Sequence, residues 1–441
     1  MPGKINRREL FALTGAVLTA LAICGHLFAS GSGELKGGTA RVNIDPPVGC
    51  WLSGWAIRDR PSEDISDNLY AKSLVLSDGR TEIAILAADL IGVTGEIVSE
   101  VRKAVEQKTG IAQDNIFISA SHTHFGPGTG KYRYKNWKVD PDYIEVLKKK
   151  LAAVVIMAHG NLTGVRVGSA KGAAPELLYN RRTKRPDGKV VMTFVLPPGE
   201  PDLSFGPVDP EVGVLRVEDS QGNLLASMIN FACHPVSGGG HGKGWESWFY
   251  HISADYPAYA TQVVEKIEGG NCLFTLGTAG DMVPIRRGVS PRFEIGRALG
   301  GEALKKLQLL ETSGEITLAS LRREITLPMK EELPENSNYD PQPGKTALTT
   351  EIHGIRIGET VIVGLPGEVL VELGLEIKKR AGVEKLFLVS MANDTIGYIC
   401  HRQAYEEGGY EPIQGSLLAP GSGEMVVEAV LKVVRELMQG E

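Results

Sequence analysis

Apolar, strand-like segments alternate with amphipathic helices along most of this chain. Hairpin signals at Asp187-Gly188, Gln221-Gly222-Asn223 and Gly358-Glu359 interrupt the alternation, which argues against simple parallel βαβ winding. The spacing predicts strands at 82–89, 115–120, 163–169, 190–196, 212–218, 223–232, 271–277, 315–327, 350–357, 360–365 and 385–391. Helices are expected at 94–109, within 141–158, and at 254–268, 291–311, 367–381 and 421–438. Ile97, Val101 and Val105 share one face of the first of these, and Gly110 closes it. The expected fold class is mixed α/β: mixed β-sheets with hairpins, covered by helices. Residues 41–441 show no fixed-period repeat and no break in composition, so they read as a single large catalytic domain. The polar segment 328–347, with four prolines, reads as an excursion or a rim loop.

The first thirty residues stand apart. Lys4, Arg7 and Arg8 precede an almost uncharged stretch from Leu10 to Ser30, the pattern of an export signal peptide, with an uncleaved N-terminal anchor as the alternative. Either implies an exported protein: periplasmic, secreted, or anchored outside the cell. Residues 31–40, rich in glycine, read as a linker. A net charge of −6 with no long basic run gives no reason to expect nucleic acid as a partner. Five cysteines without a CxxC pair form neither a disulfide scaffold nor a cysteine metal site. Cys233 and Cys272 read as buried apolar residues, while Cys50 and Cys400 could pair in an oxidising compartment.

Several predicted strands end in polar clusters. The run Ser121-His122-Thr123-His124 follows strand 115–120 and precedes Phe125-Gly126-Pro127-Gly128. Two histidines one residue apart face the same side if the backbone stays extended, so both could touch one ion. If the chain turns at His122, one would bind and the other would meet substrate. His234 follows an apolar strand and is fixed by Pro235. Glu368 lies in Gly364-Leu365-Pro366-Gly367-Glu368, where it could be a ligand or simply a carboxylate at a helix N-terminus. His241 and His251, in a glycine-rich stretch, read as loop residues. Gly277-Thr278-Ala279-Gly280-Asp281 looks like a phosphate cradle but lacks the P-loop lysine, and neither GxSxG nor HExxH occurs. Asp89, at a strand end, is a candidate hydrogen-bond partner for a ligating imidazole, or a cap.

These clusters, taken in order, resemble the neutral/alkaline, non-lysosomal ceramidase family. The matching pieces run from Ser121-His122-Thr123-His124 through Asn180-Arg181, Ala232-Cys233-His234-Pro235, Ala279-Gly280-Asp281 and Pro366-Gly367-Glu368. They end with Ala392-Asn393-Asp394, Gly397-Tyr398 and Tyr405-Glu406-Glu407-Gly408-Gly409-Tyr410. The resemblance implies a Zn2+ ion held by His122, His234, Glu368 and Tyr398, with His124, Arg181 and Tyr410 acting on the amide. It implies hydrolysis of an N-acylated lipid such as ceramide, met at a membrane surface. Val283 stands where the family commonly has a serine, which removes a serine nucleophile there, and Phe125 replaces a small residue. The family's C-terminal immunoglobulin-like domain has no counterpart in this sequence. Two other readings stay open: a zinc amidase or esterase acting on a different N-acyl or small amide substrate, and a non-catalytic envelope binding protein of the same fold.

Overall fold

The computed structural model describes residues 34–130, 138–238, 247–340 and 343–439. The expected export segment lies outside these, as does His241. Three mixed sheets carry the chain. The first has five strands in the order Ile116–Ala120, Glu82–Ala88, Tyr70–Ser77, Lys36–Asn43 and Thr163–Gly164. The second runs Asn271–Leu276, Leu224–Phe231, Glu211–Glu218 and Arg166–Ala173, and the third Leu318–Pro328, Ala347–Ile357, Thr360–Gly364 and Leu386–Val389. In each sheet antiparallel neighbours give way at one edge to a single parallel pair: 82–88 with 116–120, 224–231 with 271–276, and 360–364 with 386–389. That is the mixed architecture expected from hairpins set among βαβ connections.

The strands are apolar on both faces because each sheet is covered twice. Along Glu82–Ala88, Ile83, Ile85 and Ala87 join a cluster that reaches Leu215, Met228, Ile355 and Phe387 of the other two sheets. The alternate residues Ala84, Leu86 and Ala88 pack instead with Val101, Leu151 and Val155, which lie on helices. Helices Gly95–Thr109 and Pro141–Gly160 cover the first sheet, Tyr256–Glu268 and Val289–Leu309 the second, and Val371–Ala381 with Ser422–Gln439 the third. The sheets therefore meet at the centre and each presents a helix pair outward. The helix start is written locally: the Thr94 side chain accepts from the Ile97 N–H, and Gly110 ends the helix in a left-handed conformation.

Four expectations need correction. Lys36–Asn43 is a strand paired along its whole length with Tyr70–Ser77, so residues 36–40 belong to the sheet and not to a linker. Short apolar patterning and three glycine or alanine positions hid it. The strand expected at 190–196 ends at Met192, in a small hairpin with Arg182–Lys184 around Asp187-Gly188. The helix expected from 367 begins at Val371, because Glu368–Val369 pair as a short strand with Tyr398–Ile399. Cys50 and Cys400 are both free and buried in separate clusters, so they form no disulfide with each other. His251 pairs through its backbone with Asp64.

Candidate active site

The parallel strands end at one place. The chain leaves strand 116–120 at Ser121, strand 224–231 at Ala232 and strand 360–364 at Leu365. The loop after Leu386–Val389 threads between them: the Ser390 N–H donates to Leu276 O, and the Ala120 N–H donates to Met391 O. Asn393 Oδ1 accepts from the Ile118 N–H at 2.8 Å, which locks that loop to the first sheet. Met391 and Asn393 adopt left-handed backbone to make these bonds.

His122 also has a left-handed backbone, with φ 67°. The chain therefore turns between the two histidines, yet His124 Nε2 still lies 3.3 Å from His122 Nε2. The turn is open because Gly54 sits against it. A Cβ at that position would lie 2.5 Å from His124 Cγ.

The three imidazoles are anchored differently. His122 Nδ1 is 2.6 Å from Ile91 O, and His234 Nδ1 is bonded to Ala279 O. A neutral ring donating from Nδ1 to a carbonyl presents a lone pair at Nε2. Those two Nε2 atoms lie 3.2 and 3.1 Å from Glu368 Oε2. Burial drives the His234 imidazole down to about 4, so it is neutral at pH 7. Electron pairs from two rings and a carboxylate thus converge on one point. They repel unless a cation sits among them, so the donor set fits a divalent metal. His124 completes a group of three histidines whose ligand atoms lie within 4.8 Å of one another. Its Nδ1 is buried without a hydrogen-bond partner, so neither of its nitrogens is tied to a carbonyl. Burial also holds its pKa well below the usual histidine range.

The other expected residues gather around this point, with two exceptions. A cavity of about 310 Å³ is lined by His122, His124, Glu368, Tyr398 and Tyr410 together with Trp51, Trp55 and Arg58. Tyr398 pairs across the short strand with Glu368, and its hydroxyl accepts from Arg181 Nη2 at 2.9 Å. The Tyr410 hydroxyl accepts from Asn338 Nδ2 at 2.8 Å, leaving its own proton free to donate into the cavity. Burial pushes its pKa up to about 12, so it stays a donor at neutral pH. Arg181 is not a lining residue. It stands behind Tyr398, with Nε donating to Glu411 Oε1 at 2.8 Å and Nη2 to Gly280 O at 3.0 Å. Asp89 is the second exception: its carboxylate accepts the Tyr70 N–H at 3.0 Å, while backbone carbonyls serve the imidazoles instead. It is a strand-end cap. The turn 277–281 cradles no phosphate either, since its Ala279 and Gly280 carbonyls face His234 and Arg181. Val283 is buried in the strand Met282–Pro284 beside Leu178–Asn180. Of the expected rim loop, Ser337 and Asn338 reach the cavity wall.

Sequence reasoning missed Glu411, Asn338, Trp55 and Arg58. Glu411 follows Tyr410 directly in the last motif, which was the available signal. The others sit in segments without periodicity or motif.

Solved structures with this fold exist. The fold matches the crystal structure of neutral ceramidase from Pseudomonas aeruginosa with a TM-score of 0.71 and 17% identity, covering 92% of this chain and 75% of that one. A structure described as ceramidase complexed with C2 matches equally well. In sequence, neutral ceramidase of Drosophila pseudoobscura pseudoobscura is 24% identical over 261 residues, which is 57% of this chain and 35% of the relative. Neutral ceramidase A of Dictyostelium discoideum is 22% identical over 291 residues, or 62% of this chain and 39% of the relative. The chain shares the fold of neutral ceramidase and is similar to neutral ceramidases over more than half of its sequence. No family model matches it. The matches span little more than a third of these curated neutral ceramidases.

Proposed function

We propose that the chain is a zinc-dependent amidohydrolase that cleaves the amide bond of N-acylated lipids such as ceramide, giving a fatty acid and a sphingoid base. What carries the reading is the convergence of His122 Nε2 and His234 Nε2 on Glu368 Oε2, beside a cavity that His122, Glu368, Tyr398 and Tyr410 line. His122, His234, Glu368 and Tyr398 would hold the ion. Zinc in such a site supplies Lewis-acid polarisation and lowers the pKa of water to about 7.

The chain's own residues supply the remaining steps. Water adds to the amide carbonyl, the C–N bond breaks, and one proton passes from the water to the leaving amine. His124 is the group to carry that proton, since its ring is neutral and bonded to no carbonyl. The Tyr410 hydroxyl, held by Asn338, donates to the carbonyl oxygen as negative charge develops there. Arg181 is a positioning residue: it fixes the Tyr398 hydroxyl from behind and is itself fixed by Glu411. A serine nucleophile has no place in this scheme, because Val283 is buried and apolar.

The test joins metal analysis of purified protein to fatty-acid release from a panel of N-acyl amines. Stoichiometric zinc, and turnover abolished by chelators but not by serine-directed reagents, is expected. Stoichiometric labelling of a serine with loss of turnover, or turnover by metal-free protein, would overturn the mechanism.

A further inference from the structure

Arg58 has no role in the hydrolytic scheme, yet it lines the same cavity. Its residue is only 8% exposed. Nε donates to Phe249 O at 3.1 Å and Nη1 to Ser53 O at 2.7 Å, while Nη2 is buried without a hydrogen-bond partner. Its guanidinium carbon lies 5.1 Å from the Phe125 ring centroid and 4.6 Å from that of Phe249, so two aromatic rings fix the orientation of the fork. The departure at Phe125 noted in the sequence thus has a structural counterpart.

No carboxylate among the described residues forms an ion pair with Arg58. Nearby acids are committed elsewhere: Asp59 accepts from the Tyr250 hydroxyl at 2.7 Å, and Glu63 pairs with Arg60 at 2.5 Å. Among the described residues Glu368 is the single acidic residue lining the cavity, and it faces the histidines. A second cation, Lys138, lies on the same wall with Nζ 3.5 Å from the Trp51 ring centroid. Burial lowers the Arg58 guanidinium to about 9, so it remains charged at neutral pH. A buried cation without a counterion among the described residues is costly, and a neutral lipid amide would leave that cost standing.

We propose that Arg58 is an anion-binding subsite of the active-site cavity, and that the preferred substrate is an N-acyl compound bearing an anionic group close to its scissile amide. The inference rests on the amidohydrolase reading for its reaction, though not for its binding. The unpartnered Nη2 of the guanidinium donates a charge-assisted hydrogen bond to a carboxylate or sulfonate oxygen, and Lys138 adds to the local potential. Arg58 thereby selects among N-acyl amines that the metal centre alone would treat alike.

The experiment compares kcat/KM for N-lauroylglycine and N-lauroyltaurine with that for neutral N-lauroylethanolamine. The wild-type protein is expected to favour an anionic substrate about tenfold or more, the range for a hydrogen bond to a charged group. In Arg58→Met that ratio should collapse toward one, and Arg58→Lys should recover part of it. A preference for glycine over taurine identifies the carboxylate as the ligand; equal preference identifies charge alone. A wild-type ratio near one overturns the subsite, as does a ratio that survives Arg58→Met. If Arg58→Met does not fold, the wild-type ratio and Arg58→Lys decide. If no N-acyl amine is turned over, the amidohydrolase reading fails, and calorimetric titration with N-lauroylglycine and N-lauroylethanolamine tests the subsite by itself. Tighter, Arg58-dependent binding of the anion then supports it, and equal affinities refute it.

Discussion

Glu411→Gln tests the buried framework behind the site with one atom changed. Glu411 is fully buried and holds two guanidiniums at once: Oε1 accepts from Arg181 Nε and Oε2 from Arg182 Nη1, each at 2.8 Å. Glutamine keeps the shape but turns one acceptor into a donor facing an N–H donor, and it removes the charge shared by both cations, leaving Arg182 its longer contact with Glu407 at 3.5 Å. Removing one partner of a buried pair costs about 3–5 kcal/mol. The cost here should fall near the lower end, about 3 kcal/mol, because each arginine keeps other partners. Arg181 still donates to Gly280 O and the Tyr398 hydroxyl, and Arg182 to Gly408 O. Urea denaturation of both proteins, with turnover measured on the folded fraction, reads stability and Tyr398 positioning separately. Turnover should fall as well, since Arg181 loses the group that aims it. A loss below about 1 kcal/mol, the range of an exposed pair, would refute the account. The pH dependence has a definite sign. Burial pushes the Glu411 carboxyl up, but Arg181 and Arg182 outweigh it and hold the folded-state pKa below its ordinary value. Its contribution is therefore present above the ordinary carboxylate pKa and lost as pH falls through the depressed one. The stability gap between wild type and Glu411→Gln should narrow in acid.

His122→Ala and His234→Ala should each lower metal content and abolish turnover; near-normal metal and activity in either would remove the proposed ligand set. Tyr410→Phe should keep the metal and lose about 10²–10³ in kcat with little change in KM, whereas Tyr398→Phe should lose metal affinity along with rate. Metal analysis of both variants distinguishes the roles, and reversed phenotypes would exchange them. Gly54→Ala places a methyl 2.5 Å from His124 Cγ at a residue with φ 92°. It should cost about 1–2 kcal/mol from the left-handed backbone alone and slow turnover by displacing His124. A variant with wild-type kcat would show that His124 need not sit where it does.

The strands and helices were legible because their patterns are local. Thr94 and Gly110 bracket a helix, and Asp187-Gly188 and Gly358-Glu359 mark hairpins, all within a few residues. The convergence of His122, His234 and Glu368 was legible only through the order of their motifs. Nothing in any one motif says that 122 and 234 share a neighbour. What stayed hidden depends on tertiary partners. Asp89 reads as a candidate for an imidazole until the carbonyls of Ile91 and Ala279 are seen to take the ring N–H groups. Arg181 reads as a substrate contact until Tyr398 is seen in front of it. Arg58, in a segment with no periodicity, becomes notable only when the residue is seen to line the cavity and one of its nitrogens to lack a partner.

Because the site is drawn from the ends of three sheets, its parts are far apart along the chain. His234 and Glu368 are separated by 134 residues, and Arg181 and Tyr398 by 217. Closing such long loops carries an entropic cost that local contacts cannot offset, so the site should form late in folding. During synthesis a chain released only as far as Gly364 would hold two of the three converging groups and no tyrosine behind them. Competence to hold the proposed ion should therefore appear abruptly, once Glu368 and Tyr398 have been added. Metal uptake by a growing chain would then report docking of the third sheet, a signal distinct from the earlier gain of helix.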